Sequence, residues 1–170
     1  MANVGKFVAL NDTTGRLKEE EGIDMSTGAT DACKLIKTNS SGVLDSTLLP
    51  AGVGADTKVA EASENLSAGD FVNLFNDAGT LKVRLADNSN SRQADGFVEA
   101  AVTSGSNATV VCDGTNSNLA GLTIGDRYYL DTAGNITNTV PTGNVLFQFV
   151  GVALSATELS VELDDGIERC

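Results

Sequence analysis

With no histidine anywhere in its 170 residues, this chain has carboxylates as the main means of moving protons. The missing imidazole removes every Ser-His and Cys-His pair, and with them the group most often used as acid or base near neutral pH. Glycoside hydrolysis needs only two carboxyl groups, so Asp70, Asp126, Asp164 and Asp165 are the candidates for it. Asp70 and Asp126, however, each follow a glycine at equivalent places in a repeated phrase. That is where an Asp stabilises a turn by bonding nearby backbone amides. The turn reading is preferred, no catalytic residue is assigned, and the chain is not expected to be an enzyme.

Metal and cofactor chemistry is equally sparse. Asp87-Asn-Ser-Asn-Ser91 alternates oxygen ligands as the start of a calcium loop does, but its sixth and twelfth places are Arg92 and Val98 instead of Gly and Glu. It is read as a solvated loop. Cys33, Cys112 and Cys170 are too few and odd in number for a disulfide framework, and no Cys-x-x-Cys pair occurs. Cys112, in the apolar run that starts at Ala108, is read as a small buried hydrophobe. Cys170, the last residue, could join chains on oxidation. Gly121-Leu-Thr-Ile-Gly125 spaces two turns and is no phosphate loop. Arg127, Tyr128 and Tyr129 could stack on a sugar or a base, but neighbouring strand residues face opposite ways, so packing is the better reading. No metal and no cofactor is expected.

Charge narrows the partners. Eleven basic against 23 acidic side chains give a net charge of −12, with the acids spread along the chain. Nucleic acid binding relies on clustered Lys and Arg, and none cluster here. Scattered acids keep a β-rich surface soluble and discourage edge-to-edge pairing; electrostatic fit to a basic partner is the alternative. The amino terminus lacks the apolar core of a signal peptide, and no run approaches the roughly 18 apolar residues of a membrane span. No membrane association and synthesis in the cytosol are the expectations.

The elements that would position these residues follow β grammar. Leu66-Ser-Ala-Gly69-Asp70 through Ala78-Gly79-Thr-Leu81 returns, one residue shorter, as Leu122-Thr-Ile-Gly125-Asp126 through Ala133-Gly134-Asn-Ile136. Each copy reads as a Gly-Asp turn, a short strand, an Ala-Gly hairpin turn and a return strand. Two further hairpins, Phe7 to Leu17 and Leu35 to Leu44, share that layout, with a late Gly in the left-handed position. Short β-type segments are expected at 58–64, 70–75, 80–85, 95–102, 107–112, 126–131, 135–139, 146–154 and 157–163. Nine strands without a helix between them predict an all-β fold, an antiparallel β-sandwich or small β-barrel with an extended N-terminal arm. The expected organisation is an arm with hairpins and linker over 1–56, a β domain over 57–164 and a C-terminal tail over 165–170. Polar stretches at Glu19-Glu20-Glu21 and Met25 to Asp31 interrupt the arm, and Pro50 to Asp56 reads as its linker. Asp45 to Leu49 could form a short helical turn. Leu44, Leu48 and Leu49 need cover from the domain or from another chain, and are the candidate subunit or capsid interface.

Two stretches carry a family resemblance. Gly121 to Thr139, with Gln148 to Leu163, resembles the C-terminal module of tailed-bacteriophage virion proteins, and Ile36 to Pro50 resembles a phrase of phage fibre and capsid-appendage proteins. Both are patterns of turns and strands, and no functional residues carry over from them. The resemblance implies a structural virion protein. The short length and single compact β unit are most similar to a capsid decoration, or cement, protein. Such proteins are small, β-rich and often homotrimeric, and clamp neighbouring major capsid protein subunits on the outer capsid surface. Acidity suits a place away from packaged DNA. A short head- or tail-fibre or spike binding a host glycan, and a small carbohydrate-active enzyme, are the alternatives.

Overall fold

The computed structural model describes residues 6–11, 13–32, 34–49 and 56–169. They are all-β apart from three short 3-10 turns. The chain divides into two compact units, Met1–Gly54 and Ala55–Cys170.

In the first unit β1 (Lys6–Asn11) and β2 (Arg16–Glu21) form the expected antiparallel hairpin, from Lys6↔Glu21 to Asn11↔Arg16. Gly15 takes a positive φ of 66° at its corner, where the Asn11 side chain accepts from the Thr13 and Thr14 amides. The acidic triplet Glu19–Glu21 lies inside β2 instead of interrupting a strand, because Lys6, Lys18 and Lys37 pair with its three carboxylates. The hairpin expected from Leu35 to Leu44 is a corner without a ladder. Asn39 N–H donates to Val43 O and Gly42 N–H to Asn39 O to close the turn, but Leu35 and Lys37 give their main chain to Ile23, so the pairing goes no further. A 3-10 turn at Ser46–Leu48 stands where a short helical turn was expected. Among the described residues here only Gly22 is buried: a Cβ there would meet the Phe7 ring at 2.6 Å.

The second unit opens with β3 (Thr57–Ala62), β4 (Phe71–Asp77), β5 (Thr80–Leu85), β6 (Gly96–Val98) and β7 (Asn107–Val111). These close into a barrel in the order β3-β5-β4-β6-β7. All its pairings are antiparallel except β3 with β5, joined in parallel at Glu61↔Lys82 and Ala62↔Val83. So few strands leave a narrow interior, and it is filled by small and branched side chains such as Ala60, Ala62, Val72, Val83, Val98 and Val110.

Seven strands follow: β8 (Gly114–Asn116), β9 (Arg127–Leu130), β10 (Ile136–Thr137), β11 (Leu146–Phe147), β12 (Phe149–Ala153), β13 (Leu159–Val161) and β14 (Ile167–Glu168). All but β11 and β14, which pair with each other, repeat this ladder. The order β10-β9-β12-β13-β8 matches β5-β4-β6-β7-β3 strand for strand, but stays an open sheet. Registers agree residue by residue: Phe71↔Phe97 and Val72↔Gly96 in the first ladder correspond to Arg127↔Val152 and Tyr128↔Gly151 in the second. The repeated turns coincide as well. Asp70 N–H donates to Ser67 O at 3.2 Å and Asp126 N–H to Thr123 O at 3.1 Å, with positive φ at Gly69 and Gly125.

Between the ladders lies the larger core cluster, where Phe71, Phe97 and Val111 of the first meet Tyr128, Leu130, Val150 and Leu159 of the second. Four differences from the sequence expectation stand out. The segment 95–102 shortens to β6; 146–154 splits into β11 and β12; β8 falls outside every expected segment; and 165–170, read as a tail, carries β14, which pairs with β11. The split occurs at Gln148, whose buried amide accepts from Ala94 N–H and donates to the carbonyls of Ala94 and Asp164.

The corresponding glycines Gly96 and Gly151 lie against the next strand. A Cβ on Gly96 would meet Val110 Cγ1 and Val111 O at 2.6 Å, and one on Gly151 would overlap Ser160 O. Gly96→Ala and Gly151→Ala should therefore each destabilise the second unit, by about 1–3 kcal/mol as for overpacked cores. Urea unfolding checks this, and an unchanged midpoint for either variant would contradict the matched registers.

Candidate functional site

A cleft of about 450 Å³ in the second unit lies where the second ladder fails to close. Its walls are the Ala68–Asp70 turn, the stretch 118–122 after β8, and the hairpin 134–138 that contains β10. Each wall is fixed by local bonding. Asp70 Oδ2 accepts from Ser67 N–H at 2.7 Å; Asn116, fully buried, donates from Nδ2 to Gly69 O at 2.9 Å; and the Tyr128 hydroxyl accepts from Thr123 N–H at 2.9 Å. Leu119, Leu122 and Ile136 are partly buried and pack on the core cluster beneath. The upper rim is amide-rich: Asn118 donates to Glu99 O, Asn135 to Thr132 O, and Asn138 to Asp126 Oδ2 at 3.1 Å.

Of the four carboxylates singled out from sequence, Asp70 lines this cleft, Asp126 stands behind it through Asn138, and Asp164 and Asp165 are exposed elsewhere. The structure does not converge them on one point. Asp70 serves its turn as expected. The Asp126 side chain holds Asn138, and its backbone forms the equivalent turn. Burial pushes the Asp70 carboxyl above the ordinary carboxylate range, against the pull of the Ser67 amide.

The remaining candidates are structural. Asp87-Asn-Ser-Asn-Ser91 is not a free solvated loop, since Asn88 is buried and donates to Leu130 O at 3.0 Å. Asp87 accepts from Ser89 and from Ala133 N–H. Burial would raise its carboxyl, but these bonds outweigh it and hold it below the usual range. Among the described residues no group of three His, Cys, Asp or Glu is arranged to hold a metal ion. Cys112, expected as a small buried hydrophobe, is half-buried and packs against the barrel core, and burial raises its thiol. Cys33 and Cys170 lie outside the described residues. Leu44 and Leu49 are exposed and Leu48 is half-buried, all in the first unit.

Tyr128 and Tyr129 do face opposite ways, but Tyr129 joins a row that the sequence did not disclose. Arg127 lies 4.5 Å from the Phe149 ring centre, Tyr129 lies 6.1 Å from Phe149 and 5.2 Å from Phe147, and Arg169 lies 5.0 Å from Phe147. Arg127 and Tyr129 are two apart on β9 and share a face. Phe149 reaches them through the pairing of β9 with β12, which no spacing rule reveals, and Phe147 lies two residues before it on β11.

No protein-family model and no curated protein matches the chain. Among solved structures it is similar to the N base of the head fiber gp8.5 of bacteriophage phi29. The identity is 14% and the TM-score 0.46, over 68% of this chain and 100% of that one. A likeness of that size assigns neither a family nor a role.

The Asp70 result predicts a pH effect. Its carboxyl is raised in the folded state, so the fold favours the protonated form, and its contribution falls as pH rises through the unfolded and then the folded value. Relative to Asp70→Asn, the natural chain should lose stability as pH rises from about 3 through the ordinary Asp value near 4 and beyond it. Urea midpoints across that range check the sign; parallel curves for the two proteins would contradict it.

Proposed function

We propose that this chain is a structural protein of a tailed-bacteriophage virion, a decoration protein that grips the outer capsid surface and bridges neighbouring major capsid protein subunits. One observation carries the reading. The described residues of Met1–Gly54 bury no apolar side chain, while Val8, Leu10 and Leu17 are 68%, 59% and 74% exposed on one face of the β1–β2 ribbon. A two-stranded ribbon without a core is marginal in water, and it gains order by laying such a face on a neighbour. Leu44 and Leu49 add apolar surface in the same unit.

The second unit supplies the opposite property, a rigid body with two packed clusters. A rigid body with an adhesive appendage suits a lattice, where many weak contacts act at high effective concentration. The phage resemblance of 36–50 and of 121–139 with 148–163 supports the same class, and a net charge of −12 favours an outer position away from packaged DNA. In this reading the chain is made in the host cytoplasm, assembles as a homotrimer and works without catalysis or cofactor.

A second reading is a short head or tail fibre that holds a host glycan. The half-buried rings of Tyr129 and Phe147, flanked by Arg127 and Arg169, favour it.

Deleting residues 1–54 separates these readings. The remaining unit should keep a sharp thermal transition, yet lose trimer formation and cosedimentation with heads assembled without the protein. A truncated chain that binds heads as well as the full chain would contradict the clamp.

A further inference from the structure

The two ladders differ at one seam. In the barrel, β3 occupies the free edge of β5, and Ser63 N–H donates to Val83 O at 2.9 Å just beyond the paired residues. By register, Ile136 is the counterpart of Val83: Leu74↔Val83 in the first ladder answers to Leu130↔Ile136 in the second. No strand covers Ile136 on that side, because β10 and β8 are the two ends of an open sheet.

Its backbone groups nevertheless point into the gap. Leu130 N–H is taken by Gln148 O and Asp131 N–H by Asn135 O, each at 2.9 Å. The alternation of an antiparallel pair then turns the N–H and C=O of Ile136 away from β9 and towards the cleft it lines. On the opposite wall, the amides of Ala120 and Gly121 have no hydrogen-bond acceptor among the described residues. The cleft thus combines an unpaired strand edge, two amides without an acceptor on the opposite wall and a floor of Leu119, Leu122 and Ile136.

We propose that this seam takes one extended segment of a partner protein, added as a strand along Ile136, with a Lys or Arg of that segment set against Asp70. Main-chain pairing to an open sheet edge is the chemistry offered, and the barrel displays the closed form of the same edge. Charge fixes the sign of the partner: Asp70 is the one charged side chain lining the cleft, and no described basic side chain pairs with it. This inference rests on the virion reading, in which the partner segment belongs to the protein lattice.

The test is residue-resolved hydrogen exchange on the full chain, free and mounted on heads assembled without it. The Ile136 amide and at least one of Ala120 and Gly121 should slow tenfold or more on heads, while Ser63, already paired, should not change. If the chain cosediments with heads and these amides keep their free rates, the seam proposal fails and the virion reading stands. Uniform slowing of the whole exposed face marks general shielding and also overturns strand addition. Slowing of the same amides by soluble host-surface polysaccharide, without heads, replaces the peptide with a sugar. Failure to cosediment overturns both readings.

Discussion

A wall of three strands buried on both sides is the constraint on which the larger unit depends. Along β4, β6 and β7, Val72, Val98 and Val110 point into the barrel while Phe71, Phe97 and Val111 point out of it into the cluster shared with the second ladder. Strand alternation makes this possible, since each residue serves one face and its neighbour the other. The price is sequence that must be apolar at consecutive positions, as Gly96-Phe97-Val98 is. The two ladders are also spliced through main chain. Phe71 N–H donates to Gly134 O at 2.9 Å and Gly134 N–H to Ala86 O at 2.7 Å, so a hairpin of the second ladder is held by the start and end of the β4–β5 hairpin. A Cβ on Gly134 would come within 2.9 Å of Leu85, which explains glycine at this corner beyond its positive φ.

One sequence phrase used twice gives one closed and one open ladder, and the reason is local. In the first, β3 runs six residues, and its end reaches β5. In the second, β8 stops after three residues, because Asn116 turns its side chain to Gly69 O and to Asn118 N–H. The chain beyond is drawn instead to the 156–157 loop, where Leu119 and Leu122 donate their amides. The open edge is therefore maintained by specific polar contacts, and the protein keeps a strand edge that most folds hide.

Much of this was legible in the residues. Gly-Asp and Ala-Gly corners announce themselves because positive φ and amide-bonding side chains have few alternatives: Ala78 and Gly79, like Ala133 and Gly134, all take positive φ. Strand positions followed from short apolar runs. Hidden from sequence were the pairings between distant runs, and with them the closure of the barrel, the cleft and the Arg127–Phe149–Tyr129–Phe147–Arg169 row. β8 was missed because Gly114-Thr-Asn116 has no apolar alternation; it is a strand only because β13 lies beside it. Nothing in the sequence marks Gln148 and Asn116 for burial, and only the carbonyls and amides they meet explain it.

In the proposed reading the rigid ladders hold shape and the coreless ribbon adheres. The shared wall makes a definite demand on the first of these: neither ladder can lose its packing without exposing the other. Differential scanning calorimetry of the full chain tests that most directly. The account predicts one cooperative transition carrying the heat of both ladders, with calorimetric and van't Hoff enthalpies in agreement. Two resolved transitions, the barrel melting apart from the open sheet, would contradict it.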